Sequence, residues 1–219
     1  MSRPPLRLEP LYAILDPDQT AGRGPEAVLA ALLAGGVRLL QLRVKSGGAR
    51  AFLALAERAR QATRAAGCRL IVNDRADIAL ASDADGVHLG QEDLPLSRAR
   101  ALMGSKIVGI STHTVEQALE AERGGADYIG FGPVFGTTTK ETGYEPRGTE
   151  MLRRVRRAVT IPVVAIGGID EANVAAVWRA GADSAAMIGA LVRGDAAAAA
   201  RRILAAHRAL ASGARQEGS

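Results

Sequence analysis

Val37-Arg38-Leu39-Leu40-Gln41-Leu42-Arg43-Val44-Lys45 is the stretch on which the fold turns. With the two-residue side-chain period of a β-strand, Leu40, Leu42 and Val44 point to one side, and Val37, Leu39, Gln41, Arg43 and Lys45 to the other. The first side suits burial against helices. The second begins apolar and becomes polar and cationic only at its C-terminal end. Such a strand fits a buried parallel sheet whose carboxyl ends open onto an anion site. An edge strand with a solvated charged face fits the same residues, so the surrounding chain must decide.

Working outward, the chain alternates. Upstream, residues 1–10 read as a loose leader, residues 11–16 as an apolar strand ending in Asp16, and residues 25–33 as a helix ended by Gly35-Gly36. Downstream, an amphipathic helix over 51–66 is closed by Gly67, and strand 68–74 again finishes in polar residues. A short helix over 77–81 leads to strand 86–89, and a helix over 95–103 to strand 106–111. Thr114 and Gln117 have capping-box spacing for a helix that Gly124-Gly125 ends, and strand 128–132 follows. A loop rich in glycine, threonine and proline, 133–148, then breaks the rhythm before an arginine-rich helix. Strand 162–167 comes next, then a helix capped by Asp170, ended by Gly181 and carrying Trp178 on its inner face. Strand 184–188 and a helix over 195–210 complete the pattern, leaving 211–219 as a frayed tail.

This succession of eight strand-then-helix units predicts a single-domain α/β fold, a (β/α)8 TIM barrel over residues 11–210. The alternative is a doubly wound open sheet. The turn after Asp16 lacks G-x-G-x-x-G, and the chain contains no G-x-x-x-x-G-K-[ST] loop, so the barrel is favoured.

Composition agrees. A chain of 219 residues with 47% hydrophobic content holds a sizeable core, and 3% aromatic content makes that core aliphatic and alanine-filled. Cys68 is the only cysteine, which excludes an internal disulfide and a multi-cysteine metal site; it reads as a small buried hydrophobe. With no long apolar run, a soluble cytoplasmic protein is expected, with no membrane partner. The net charge of +5 raises nucleic acid as a partner, but the arginines follow helical patterns and no basic run is interleaved with aromatics. A solvated helix face explains them more simply, so no nucleic acid is expected.

Active sites of barrels lie at the carboxyl ends of the strands. Those ends carry Asp16; Gln41, Arg43 and Lys45; Asn73 and Asp74; Asp93; Ser111; the Thr137, Thr139, Lys140 loop; Gly167-Gly168; and Ile188-Gly189. Arg43, Lys45 and Lys140 are cations and Asn73 an amide donor, the groups that hold a polyphosphate oxyanion. Asp74 and Asp93, read singly, are a helix cap and a turn residue; read with those cations, they suit Mg2+ shared with substrate phosphates. Gly168 and Gly189 offer backbone N–H groups to a second anion. Two anion sites imply two phosphorylated small-molecule substrates. The loop 133–148, which carries Lys140, is expected to act as a lid. His88, His113 and His207 have no metal-ligand spacing; His113 is placed to tune Ser111, and His207 to pack beside Ile203 and Leu210.

These residues also carry a family resemblance. Tyr12-Ala13-Ile14-Leu15-Asp16, Gln41-Leu42-Arg43-Val44-Lys45, Asn73-Asp74-Arg75, the run from Asp85-Gly86-Val87-His88 to Gln91-Glu92-Asp93, Gly109-Ile110-Ser111-Thr112-His113, Gly130-Phe131-Gly132-Pro133, Thr137-Thr138-Thr139-Lys140 and Ala165-Ile166-Gly167-Gly168-Ile169 occur in the order found in thiamine phosphate synthases. The chain resembles that family over nearly its whole folded length. The resemblance implies a Mg2+-dependent alkyl transfer in which a pyrimidine diphosphate and a thiazole phosphate give thiamine phosphate and pyrophosphate. It further implies that Arg43, Lys45, Asn73 and Lys140 hold the pyrophosphate and that Asp74 and Asp93 ligate Mg2+. Gln41 and Ser111 would contact the pyrimidine, Thr137 and Thr139 would lie near the thiazole and phosphates, and Gly168, Ile188 and Gly189 would meet the thiazole phosphate. At Gly189 the family commonly has serine. A thiazole tautomerase-like barrel and a non-catalytic binder of a phosphorylated ligand are the rival readings, and a homo-oligomer stays open.

Overall fold

Side-chain alternation within each strand builds the two layers of the molecule. A computed structural model describes residues 6–136 and 145–216. Eight parallel strands, β1 (Leu11–Leu15), β2 (Leu39–Leu42), β3 (Arg69–Asn73), β4 (Gly86–Leu89), β5 (Ile107–Thr112), β6 (Tyr128–Phe131), β7 (Val163–Ala165) and β8 (Ser184–Met187), close into a barrel in sequence order. The outer layer comprises α1 (Pro25–Ala34), α2 (Ala49–Ala65), α3 (Ala76–Ala81), α4 (Leu96–Met103), α5 (Val115–Arg123), α6 (Gly148–Ala158), α7 (Val174–Arg179), α8 (Gly189–Val192) and α9 (Ala196–Gln216). The fold is the (β/α)8 barrel expected.

The β2 stretch settles its own ambiguity. Its Gln41 pairs in register with Ile14 of β1 on one side and Ile71 of β3 on the other, so it is no edge strand. Leu40 and Leu42 join the large apolar cluster between barrel and helices, while Leu39 lies in a smaller cluster with Tyr12, Ile14, Ile71, Ile107, Tyr128, Val164 and Ala186 that fills the barrel interior. The strand itself stops at Leu42; Arg43 and Lys45 lie just past its end, at the mouth.

The opposite end of the barrel is closed by means the sequence did not announce. Residues 6–10, expected to be loose, pack across it: Leu6 and Leu8 lie against the interior cluster, and the Pro10 carbonyl accepts hydrogen bonds from the Ala185 N–H (2.9 Å) and the Trp178 indole (3.3 Å). Trp178 is buried as expected and meets His207 edge-on, with ring centroids 4.9 Å apart. Helix α9 runs to Gln216, six residues past the expected end. The capping of α5 is split between two residues: Thr114 accepts from the Gln117 N–H, but the Gln117 side chain accepts from the His113 N–H.

A threefold ion-pair repeat braces the same end. Asp85, Asp127 and Asp183 each precede an even-numbered strand. Each accepts from the backbone N–H of the neighbouring strand (Leu70, Val108 and Val163, at 2.7, 2.7 and 2.8 Å). Each also pairs with an arginine of the helix before that neighbouring strand, Arg60, Arg100 and Arg156, at 2.8, 2.7 and 2.8 Å. Asp127→Ala removes the carboxylate acceptor of both Val108 N–H and Arg100. We expect a stability loss of about 2 kcal/mol, read as a Tm lowered by roughly 4–8 °C. The carboxyl-end mouth should be unaffected, because the residue sits at the opposite end of the barrel.

Candidate active site

A cavity of about 320 Å3 opens at the carboxyl ends of the strands, and Gln41, Arg43, Asn73, Ser111, Gly168, Ile188 and Gly189 all line it. The barrel therefore brings these seven together, with Gly167 and His113 beside them, whereas Lys45, Asp74 and Asp93 lie outside this lining. Each comes from the end of a strand or the loop just after it.

The rim carries alternating charge. Arg43, half-buried, pairs with Asp16, whose side chain is 1% exposed. Asp16 also accepts from the Asp18 N–H (3.0 Å), so the turn after β1 fixes the carboxylate before it meets the guanidinium. Lys45 pairs with Asp74. Asp74 adopts a left-handed backbone (φ 63°) as the chain leaves β3, and its N–H donates to the His88 carbonyl at 2.8 Å. Asp93, beyond β4, accepts from the Gly90 N–H at 2.6 Å. Burial raises the Asp93 carboxyl above its ordinary range; the Gly90 N–H opposes this, the Asp74 carboxylate adds to it and Lys45 opposes it. Asp74 and Asp93 are thus close enough to sense each other's charge. Among the described residues no group of three or more His, Cys, Asp or Glu is placed to hold a metal. A divalent ion at the pair would take its other ligands from phosphate and water, which is how Mg2+ is commonly held.

Beneath the rim the interior is polar. The Gln41 amide nitrogen donates to the Tyr12 hydroxyl (3.1 Å), which lies 2.9 Å from that of Tyr128. Tyr128 lies 3.0 Å from His88 Nδ1, and His88 Nε2 is 3.0 Å from Ser111 Oγ. The partner of Ser111 is therefore His88; His113, expected there, instead donates from Nδ1 to the Gly132 carbonyl at 2.6 Å. Burial drives the phenols of Tyr12 and Tyr128 well above their usual range, so both stay protonated. Gly109 makes the arrangement feasible: a Cβ there would sit 2.1 Å from the Tyr128 ring.

The far wall is backbone. Gly168 has φ 60°, and a Cβ on it would lie 2.3 Å from the Gly136 carbonyl oxygen. Asn173 donates to the Gly168 carbonyl at 2.8 Å and holds the turn. Gly189 opens the four-residue α8.

Comparison with known proteins identifies the group to which this barrel belongs. The family model described as thiamine monophosphate synthase matches residues 11–191. The chain belongs to the thiamine monophosphate synthase family. It is 49% identical over 196 residues to the thiamine-phosphate synthase of Chloroflexus aurantiacus, covering 90% of this chain and 91% of that one. It is 46% identical over 198 residues to that of Shouchella clausii, covering 90% and 95%. The solved thiamine phosphate pyrophosphorylase of Pyrococcus furiosus superposes with a TM-score of 0.85 at 37% identity, covering 92% of this chain and 96% of that one. As a thiamine monophosphate synthase family member, the chain is an enzyme, a transferase of thiamine biosynthesis acting on small molecules.

Of the residues expected in this family's site, Thr137, Thr139 and Lys140, and with them the centre of the expected lid, lie outside the described residues. The ends of that loop are tied together by Arg147 N–H to the Pro133 carbonyl (2.8 Å) and Gly148 N–H to the Val134 carbonyl (2.9 Å). Sequence reasoning gave Asp16 no role and missed His88, Tyr12, Tyr128 and the cavity-lining Arg193. For Asp16 a signal existed: a buried acid ending an apolar strand needs a cation. No helix among the described residues is long and apolar enough to cross a membrane.

Proposed function

We propose that this enzyme joins 4-amino-2-methyl-5-(diphosphooxymethyl)pyrimidine to a thiazole phosphate, giving thiamine phosphate and pyrophosphate. The observation that carries the reading is the rim, where Arg43, paired with Asp16, lines a cavity sized for a small molecule and Lys45, from the same strand end, pairs with Asp74, the neighbour of Asp93. Arg43, Lys45 and Asn73, with Lys140 from the loop, hold the diphosphate and stabilise the charge that grows on it as the methylene C–O bond breaks. The bonding pair leaves with pyrophosphate. The electron-rich aminopyrimidine, oriented by Gln41 and Ser111, delocalises the positive charge left on the methylene carbon. The thiazole nitrogen then donates its lone pair to form the C–N bond. No protein nucleophile is required. Mg2+ is the expected cofactor; Asp74 and Asp93 would hold it, and when bound it neutralises charge on the diphosphate.

The thiazole phosphate is assigned to the backbone of Gly168, Ile188 and Gly189, near Thr137 and Thr139. Gly168→Ala tests this wall. Its left-handed backbone disfavours a side chain by roughly 1–2 kcal/mol, and the added Cβ presses on the Gly136 carbonyl. The KM for the thiazole phosphate should rise at least about tenfold, with that for the pyrimidine diphosphate little changed.

The direct test is incubation with both substrates and Mg2+. Thiamine phosphate and pyrophosphate in equal amounts are expected. Isomerisation of the thiazole phosphate alone would assign the barrel to tautomerase chemistry, and saturable binding without product would make it a binder. We also infer a cytoplasmic, reducing location. The cysteine usage supports it, for a chain with one cysteine, free and buried, builds no internal disulfide.

A further inference from the structure

The interior side chains form one continuous chain across five strands: Gln41, Tyr12, Tyr128, His88, Ser111. Its direction follows from the inventory of hydrogens. An amide nitrogen only donates, so Tyr12 Oη accepts from Gln41; the oxygen could accept a second bond, but only an order that turns Tyr12's single hydrogen toward Tyr128 leaves it an acceptor within this chain. Tyr128 accepts that bond and gives its own hydrogen to His88 Nδ1. In that order the ring accepts at Nδ1, so the proton it holds is on Nε2 and is donated to Ser111 Oγ. Ser111, having accepted, is left with a free hydroxyl hydrogen at a cavity wall.

We propose that this one-way relay fixes Ser111 as a hydrogen-bond donor to the ligand, with Tyr12, Tyr128 and His88 as positioning residues. At the other end Gln41 also lines the cavity, and its amide oxygen can only accept. The inner end of the site is therefore polarised for a planar nitrogen heteroaromatic that offers a ring lone pair and an amino hydrogen. Packing holds the relay in place. The His88 and Tyr128 rings lie 5.5 Å apart at 27°, and a Cβ on Gly130 would stand 3.0 Å from His88 Cε1. A cavity that merely needed a hydroxyl near the ring would not require two buried phenols beneath it.

The polarity assigned to the ligand rests on the reaction proposed above; the order of the hydrogens does not. Neutron diffraction from crystals of the unliganded, deuterated full-length protein reads that order directly. Deuterium is expected on Tyr12 toward Tyr128, on Tyr128 toward His88 Nδ1, on His88 Nε2, and on Ser111 directed away from His88. A Ser111 deuteron pointing at Nε2, or a deuteron on Nδ1, overturns the relay even in an active enzyme. The second arm is Tyr128→Phe, which keeps the ring and removes the central link from a residue that does not line the cavity. It should raise the KM for the pyrimidine diphosphate about fivefold, the effect of one weakened hydrogen bond, and leave that for the thiazole phosphate unchanged. Equal changes in both constants, or none, overturn the positioning role. Expected deuterons in a protein that forms no thiamine phosphate would support the relay and count against the proposed reaction alone.

Discussion

Asp74→Asn is expected to lower turnover about a hundredfold or more, since a divalent ion on a departing phosphate is worth several kcal/mol of transition-state stabilisation. The fold should survive. Asparagine accepts the left-handed backbone that Asp74 adopts, because its short side chain tolerates that region well. Burial and the neighbouring Asp74 hold the Asp93 carboxyl above its ordinary range. Two carboxylates held together beside a single lysine are an arrangement that a divalent cation relieves. Asparagine at position 74 removes one charge from that pair and also the partner of Lys45. Titration of the substrate-free protein with Mn2+ should show weaker binding in the variant, and its rate should need far more Mg2+ to saturate. Unchanged Mn2+ binding together with wild-type turnover would remove the metal from Asp74.

The parts of this site that were legible in sequence share one property: each is a local departure from an apolar run. Arg43 and Lys45 stand out because they follow Leu42 in a strand otherwise buried on both faces, and Asn73 and Asp74 stand out after Ile71-Val72 in the same way. What stayed hidden depends on closure of the barrel. Tyr12 and Tyr128 touch across 116 positions of sequence, and His88 meets Tyr128 across 40, so no local pattern pairs them. Read one at a time, a tyrosine in an apolar strand is core and a lone histidine is a packed residue. The packing of residues 6–10 is hidden for a similar reason, since a short segment with only Leu6 and Leu8 to bury gains its contacts only once the barrel interior, β8 and α7 stand beside it. The Asp85, Asp127 and Asp183 repeat was open to inspection, as alanine-aspartate immediately before β4, β6 and β8. Its meaning needed the neighbouring strand and the arginine of the helix before it.

Arg43→Ala should have two separable effects. Removing a guanidinium that stabilises charge developing on the leaving group is expected to lower kcat by roughly 10²–10³-fold. The same change strands Asp16, whose carboxylate is almost fully buried and has Arg43 as its ion-pair partner. Breaking a buried pair from one side costs about 3–5 kcal/mol, because an uncompensated charge remains; in a chain of this size that is a Tm drop of roughly 6–20 °C. The double variant Asp16→Asn with Arg43→Ala distinguishes the two. An asparagine in place of Asp16 is neutral, keeps an oxygen for the Asp18 N–H and leaves no buried charge, so thermal stability should return close to that of the wild type. Turnover should not return, since the cation at the mouth is still missing. If the double variant regained activity along with its stability, Arg43 would be a structural counter-ion and the leaving group would be held by Lys45 and the loop. If instead stability stayed low while charge balance was restored, the pair would matter for its packing and directed hydrogen bonds, beyond neutralising Asp16.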